Sequence, residues 1–344
     1  MLGTLYPLIR PILFSLEAER AHEWTLQAVS TAPGMIGALS SAGYPPQNNP
    51  ISTSVFGLPI PSPVGLAAGL DKNGIAIPYW PSLGFGFVEV GTVTAIPQKG
   101  NEKPRLFRVP EDKALINRMG FNNRGSEQLA LTMKSLRESG RWPNVPVGAN
   151  VGKSKVTPLE DAPQDYALSI SRLQPFADYF TINVSSPNTP GLRSLQHPES
   201  LKGILDASLI AAKDTPVAVK LAPDLNSELL AAIVELVISS GVSAIIATNT
   251  TIQRKGLSQP IDQTGGLSGR PLWPIARSII KEVLQAANGK VPVIGCGGIH
   301  KASHVEELLS MGCAAIQLYS ALIFDGPGLP STLNRNLCES RRSS

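Results

Sequence analysis

The chain has 344 residues, 42% hydrophobic and 16% charged, with a formal net charge of +4. That is globular composition with ample chain for a large core, and the modest charge argues against the concentrated basic face of a nucleic-acid binder. Cys296, Cys313 and Cys338, with no C-x-x-C among them, argue against a disulfide framework, a zinc site or a cysteine-held iron–sulfur cluster.

In chain order, residues 1 to about 40 read as helical. Leu2, Leu5, Leu8, Ile9, Ile12, Leu13 and Leu16 fall at helical spacing around Pro7 and Pro11. A second stretch runs through Ala21, Trp24, Leu26 and Val29 to a stop at "TAPG". No run approaches the ~20 apolar residues of a spanning helix. Arg10, Glu17, Glu19 and Arg20 interrupt any signal-peptide pattern. "SAGYPPQNNP" reads as a linker, dividing an amphipathic helical segment, 1–44, from the remainder, 45–344. "ISTSVFGLPIPSPVG" reads as a hairpin around Gly57-Leu58-Pro59.

A pattern then recurs: a short apolar run, a small or polar end, a helical stretch. The runs are "VGLAAG", "FGFVEVGTV", "VPVGANVG", "YFTINVSSP", "PVAVKLAP", "SAIIATNT", "VPVIGCGG" and "AAIQLYSA". Each has the composition of a strand buried on both faces. Eight such βα units predict a closed (β/α)8 barrel. A doubly wound open sheet is the alternative, weakened by the absence of G-x-G-x-x-G after the first run.

A barrel carries its site at the carboxyl ends of its strands. Those ends supply Asp71, Lys72, Asn73, Thr92, Thr94, Asn150, Lys153, Asn183, Ser185, Ser186, Asn188, Lys220, Thr248, Asn249, Thr250, Tyr319 and Ser320. Amides and lysines predominate, which suits a flat, anionic, carbonyl-rich ligand and not carboxylate-driven hydrolysis. "GCGGIH" and "GGLSGRP" offer backbone N–H groups to a phosphate, or simply make tight turns. Lys72 and Lys220 are anion-binding lysines or, alternatively, Schiff-base nucleophiles. His300 and His304 lack a third ligand and read as a solvated helix start, with no metal. Gln98 to Arg124 reads as a charged loop with excess base, either ordinary or facing an anionic surface or ligand.

"AAGLDKNG", "NRMGFNN", "NVSSPNTPGLR", "KLAPDL", "ATNTT", "GGLSGRP" and "GCGGI" occur in the order found in dihydroorotate dehydrogenases. The chain resembles that family over essentially its whole length, and its class 2, quinone-dependent branch in particular. The resemblance implies an FMN-containing barrel that oxidises dihydroorotate to orotate in pyrimidine (UMP) biosynthesis. Ser186 matches the catalytic base, where class 1 members have cysteine. Thr189, with a water beside Phe121, matches the outgoing proton relay. Lys72, Asn117, Arg118, Met119, Gly120, Phe121, Asn183, Asn188, Asn249 and Thr250 resemble substrate ligands. Ala68, Gly69, Leu70, Asp71, Lys72, Thr92, Asn150, Asn183, Lys220 and Thr248 resemble the flavin contacts, and Gly269, Gly298, Tyr319 and Ser320 its phosphate end.

His22 and Arg105 match positions near the quinone. The N-terminal segment then becomes two short helices, joined near Pro7 and Pro11, that lie in the membrane interface and form a tunnel toward the flavin. The resemblance further implies a peripheral protein on the cytoplasmic face of a bacterial inner membrane, monomeric and without an obligatory protein partner. Three other readings compete: a class 1-type acceptor, a lysine-dependent barrel lyase using Lys220, and a non-catalytic membrane-surface module. Ser186 and the N-terminal segment argue against the first. The polar strand ends argue against the last.

Overall fold

The computed structural model describes residues 2–31 and 50–343. All of "SAGYPPQNNP" but Pro50, all of "TAPG" but Thr31, and the boundary at 44/45 lie outside the described residues. Two helices come first, α1 (Leu2–Ser15) and α2 (Ala18–Thr31). A short hairpin follows, β1 (Thr53–Val55) and β2 (Leu58–Ile60). Then come β3 (Val64–Leu66), β4 (Phe87–Val93), β5 (Leu106–Val109), β6 (Ala114–Asn117), α3 (Gly125–Glu138) and β7 (Val147–Val151). Next are α4 (Ala162–Leu173), β8 (Tyr179–Asn183), α5 (Pro198–Ala212), β9 (Val217–Leu221), α6 (Ser227–Ser239) and β10 (Ala244–Ala247). The chain ends with β11 (Gly266–Gly269), α7 (Trp273–Ala287), β12 (Val293–Cys296), α8 (Ala302–Ser310), β13 (Ala315–Leu318), α9 (Ser320–Asp325) and α10 (Leu329–Ser343).

The eight apolar runs form β3, β4, β7, β8, β9, β10, β12 and β13, which close in that order into a parallel barrel. Every residue of these strands is buried, because helices cover the outside and side chains fill the inside. The hairpin β1–β2 plugs the amino end: Phe56 stacks on Tyr179 with ring centroids 4.1 Å apart. Its turn is Phe56-Gly57, both at positive φ, one residue earlier than the sequence suggests. Gly148 faces the Tyr179 ring so closely that a Cβ there would lie 2.2 Å from it, so the barrel floor needs that glycine.

Three expectations change. The prolines of the N-terminal segment lie inside α1, and the break falls at Leu16-Glu17. Its cause is local: the Glu17 carboxylate accepts from the amides of Glu19 and Arg20 and so starts α2. Arg108 donates to the carbonyls of Leu13, Phe14 and Leu16 and so finishes α1. The supposed charged loop is the hairpin β5–β6, joined by β11 of "GGLSGRP" into a three-stranded sheet above the barrel. Lys103, Arg105, Arg108, Lys113 and Arg118 of this segment are engaged within the protein.

Arg105 is the clearest case, forming a buried ion pair with Glu19 of α2 through contacts of 2.6 to 3.2 Å. Burial alone would push the Glu19 carboxyl up, but hydrogen bonding and charge from Arg105 hold it below the usual range. Helix α1 seats against α9, with Tyr6 donating to the carbonyl of Ile323 and Arg10 to that of Phe324. His304 is the third correction. It is buried, not solvated, and stacks flat on Trp273 at 3.7 Å. Among the described residues no cluster has the makings of a metal site.

Glu19→Ala strands the Arg105 guanidinium in a dry site and should cost about 3 kcal/mol. Protease cleavage within 18–31 should become faster while the barrel stays intact. Glu23→Ala removes only the exposed pair with Lys103 and should leave the cleavage rate unchanged.

Candidate active site

At the carboxyl end of the barrel a cleft opens beneath the β5–β6–β11 sheet.

The floor is a hydrogen-bonded ring of polar side chains anchored on Glu89, in the middle of β4 and fully buried. Its carboxyl oxygens accept from Asn150 Nδ2 at 2.8 Å, Thr181 Oγ1 at 3.0 Å and Gln317 Nε2 at 2.8 Å. Asn150 Oδ1 therefore faces upward, accepting from Thr92 Oγ1 at 2.5 Å and Asn183 Nδ2 at 3.1 Å. Asn183 Oδ1 in turn accepts from Ser185 Oγ at 2.9 Å and Asn249 Nδ2 at 3.3 Å. Thr92 reaches this ring because the β4–β7 register shifts between Gly91 and Val93, a bulge that re-aims one side chain.

The two adjacent serines are sorted by this ring. Ser185 is fully buried within it, also accepting from Asn249 Nδ2 at 2.9 Å. Ser186 faces the cleft, and among the described residues its Oγ accepts only the Asn188 amide, at 3.3 Å. Asn188 and Asn117 pair through their own side chains at 3.0 Å across the mouth.

Most of the expected site residues meet here. Ala68, Gly69, Lys72, Thr92, Asn183, Lys220 and Thr248 line the cleft together with Asn117, Met119, Gly120, Phe121, Ser186, Asn188, Asn249 and Thr250, and with Gly269, Gly298, Tyr319 and Ser320. Burial pushes the Tyr319 hydroxyl up to about 12. Asn150 lies below the surface of the floor.

Others stand apart. Leu70 packs into the hydrophobic core. Asp71 is fully buried and accepts from the amides of Ile75 and Ala76 and from Trp80 Nε1, so it organises the turn after β3. Arg118 lies over the Phe107 ring and donates to Gln263. His22 sits on α2 beside Lys72. Burial and that neighbour push its imidazole down to about 3, so it is neutral.

Glu89, Gln317 and Arg193 escaped the sequence reading. A charge inside "FVEVGTV" and an amide inside "AAIQLYS" were the available signals, since polar groups in a buried strand need partners. Arg193 donates to the carbonyls of Ser185 and Thr250 and pairs with Asp224, fixing the loop after β8. Gly298 proves a poor probe of phosphate binding. A Cβ there would fall 2.4 Å from the Trp273 amide nitrogen, so a side chain would disrupt the turn whatever it binds.

Two groups lining the cleft want a ligand. The Lys220 ammonium is buried and makes no hydrogen bond or ion pair among the described residues. Gln317 Oε1 is also buried without a partner. A buried charge left unpaired is costly, and a flat ring that offers carbonyl and nitrogen acceptors to Lys220 and an N–H donor to Gln317 Oε1 would satisfy both. The residues present therefore fit a flavin.

A family model described as dihydroorotate dehydrogenase matches residues 50–340. The curated protein "Dihydroorotate dehydrogenase (quinone)" of Chloroflexus aurantiacus is 45% identical, covering 95% of this chain and 94% of its own. Its namesake in Deinococcus deserti is 46% identical over 96% and 93%. A crystal structure of DHODH from Eimeria tenella in complex with ferulenol superposes with a TM-score of 0.85 at 34% identity, covering 93% of this chain and 90% of that one. Identity at this level over nearly the full length of both chains, with a family match spanning the whole barrel, means that the chain belongs to the dihydroorotate dehydrogenase family.

Proposed function

We propose that this enzyme oxidises dihydroorotate to orotate, with FMN as hydride acceptor, a membrane quinone as final acceptor, and Ser186 as base. The observation that carries this reading is the cleft itself. An unpartnered buried lysine and a ring of oriented amides surround one serine whose hydroxyl is left free to donate.

Lys220, Thr248, Thr92 and the Gly69 backbone would hold the FMN ring system, and the turns at Gly269, Gly298 and Ser320 its phosphate. FMN supplies the acceptor for the hydride from carbon 6 of the substrate. The protein's own work is recognition and proton transfer. Asn117, Asn188, Asn249 and Thr250 offer donors and acceptors in the pattern of the substrate's carbonyl and N–H edge. Ser186 Oγ takes the proton from carbon 5. Among the described residues no carboxylate or imidazole hydrogen-bonds to it, so its competence rests on placement and on relaying the proton onward. Thr189 Oγ1, buried and without a partner, stands in the same loop as the receiver of that relay. Lys72 would carry positive charge beside both rings.

Helix α1 supports membrane attachment. Leu5, Leu8, Ile9 and Ile12 are exposed on one face, with Leu8 at 73%. No described helix is long and apolar enough to cross a membrane, and the exposed apolar face of α1 is the surface proposed to lie in the interface. His22, beside Lys72 on α2, would lie where a quinone approaches, and Arg105 behind it would hold α2 in place.

Three tests follow from these assignments. Ser186→Ala should retain FMN, while anaerobic bleaching of the flavin by dihydroorotate slows by roughly 10²–10⁴-fold in stopped flow. An unchanged rate refutes the base.

Burial pushes the Lys72 ammonium down to about 8, against Glu19, which pulls it up. Folded and unfolded states are both protonated below pH 8, so the penalty is complete there. It fades as pH rises from about 8 toward the ordinary lysine value. Lys72→Met should therefore be more stable than the parent at pH 7, by on the order of 2 kcal/mol, and no more stable at pH 10. Urea titrations at the two pH values check this.

Leu8→Gln with Ile12→Gln should leave flavin reduction by dihydroorotate intact. Vesicle binding and flavin reoxidation by a long-tailed quinone should both fall.

A further inference from the structure

Asn101 stands on the approach to β5, outside every residue assigned to the cleft. It ties three segments together. Its side-chain Nδ2 donates to two carbonyls, Arg118 O at 3.0 Å and Asn188 O at 3.1 Å. Its backbone amide donates to Met119 O at 3.1 Å. Its own carbonyl accepts from Arg105 Nη1 at 2.7 Å, and Arg105 is the partner of Glu19 on α2. Gly120 backs onto the amide so closely that a Cβ there would lie 2.7 Å from Asn101 Cγ.

The bond to Asn188 differs in kind from the other bond that closes the mouth. The side chains of Asn188 and Asn117 pair with each other, and both are substrate ligands in the reading above. A substrate that takes these amides displaces that pairing. The bond from Asn101 uses the backbone carbonyl of Asn188, which the substrate does not compete for. It is also reinforced from behind by Arg105.

We propose that Asn101 is a positioning residue, a latch that holds the loop after β8 over the bound substrate once the Asn117–Asn188 pairing has been given up. The proposal rests on the reading that these asparagines bind substrate. Through Arg105 the latch is continuous with Glu19, so the seating of α2 and closure of the loop share one hydrogen-bonded chain.

The test uses the FMN-loaded full-length enzyme and orotate, followed through the change it causes in the flavin absorbance. The parent is measured first. If orotate leaves its spectrum unchanged, the reading of the site falls and the latch with it. If the parent binds, orotate release is compared in Asn101→Ala and Asn101→Asp. The alanine variant loses both side-chain bonds, and loss of the one to Asn188 should speed release roughly three- to tenfold. The aspartate variant is nearly isosteric but turns an acceptor toward the carbonyls of Arg118 and Asn188. It should release orotate faster still, even with Lys155 3.5 Å from the other oxygen. FMN content should match the parent in both. A filler of space predicts the opposite order, with aspartate close to the parent and alanine impaired. That order, or release at the parental rate in either folded variant, overturns the latch while leaving the proposed reaction standing.

Discussion

One carboxyl group sets the direction of the whole catalytic floor. Both oxygens of Glu89 accept, so each neighbour must present a donor to it. Asn150 must turn its NH2 down and its oxygen up. Asn183 must then donate to Asn150, which leaves its own oxygen for Ser185 and Asn249. An asparagine in isolation is indifferent to which end faces which way. Here the choice made at the bottom of the barrel propagates through three amides to the wall of the cleft. A partly satisfied network would be costly in so dry a place, and the ring is closed except where Lys220 and Gln317 look into the cleft.

The barrel was legible because buried parallel strands are written as continuous apolar runs, and all eight runs became strands. The sheet above it was not. "LFRV" and "ALIN" are short, and the first carries an arginine, because they cover a cleft instead of filling a core. Charge read as solvation there was charge paired across the fold, between Arg105 and Glu19, which no local pattern encodes. His304 misled for a similar reason, since a stacking partner such as Trp273 cannot be read from spacing.

Within the site, sequence motifs identified the residues that face the cleft better than the residues that orient them. Glu89 was visible only as an anomaly in a strand, and Asp71 sat inside a motif although its carboxylate serves the turn behind it. The two serines of "NVSSPN" could be separated by resemblance alone until the fold put one inside the ring and the other on the wall.

The seat of α1 has a consequence for how the protein is made. Tyr6 and Arg10 are held by the carbonyls of Ile323 and Phe324, and the Tyr6 ring packs where Gly326 leaves space. α2 waits on β5, whose partner β6 pairs in turn with β11, some 150 residues downstream. Helices α1 and α2 thus leave the ribosome well before the segments they pack on, and synthesis of the intervening chain takes on the order of tens of seconds. Throughout that interval the nascent chain carries an unmated greasy helix. A membrane surface or a chaperone would have first access to it, before the barrel has closed.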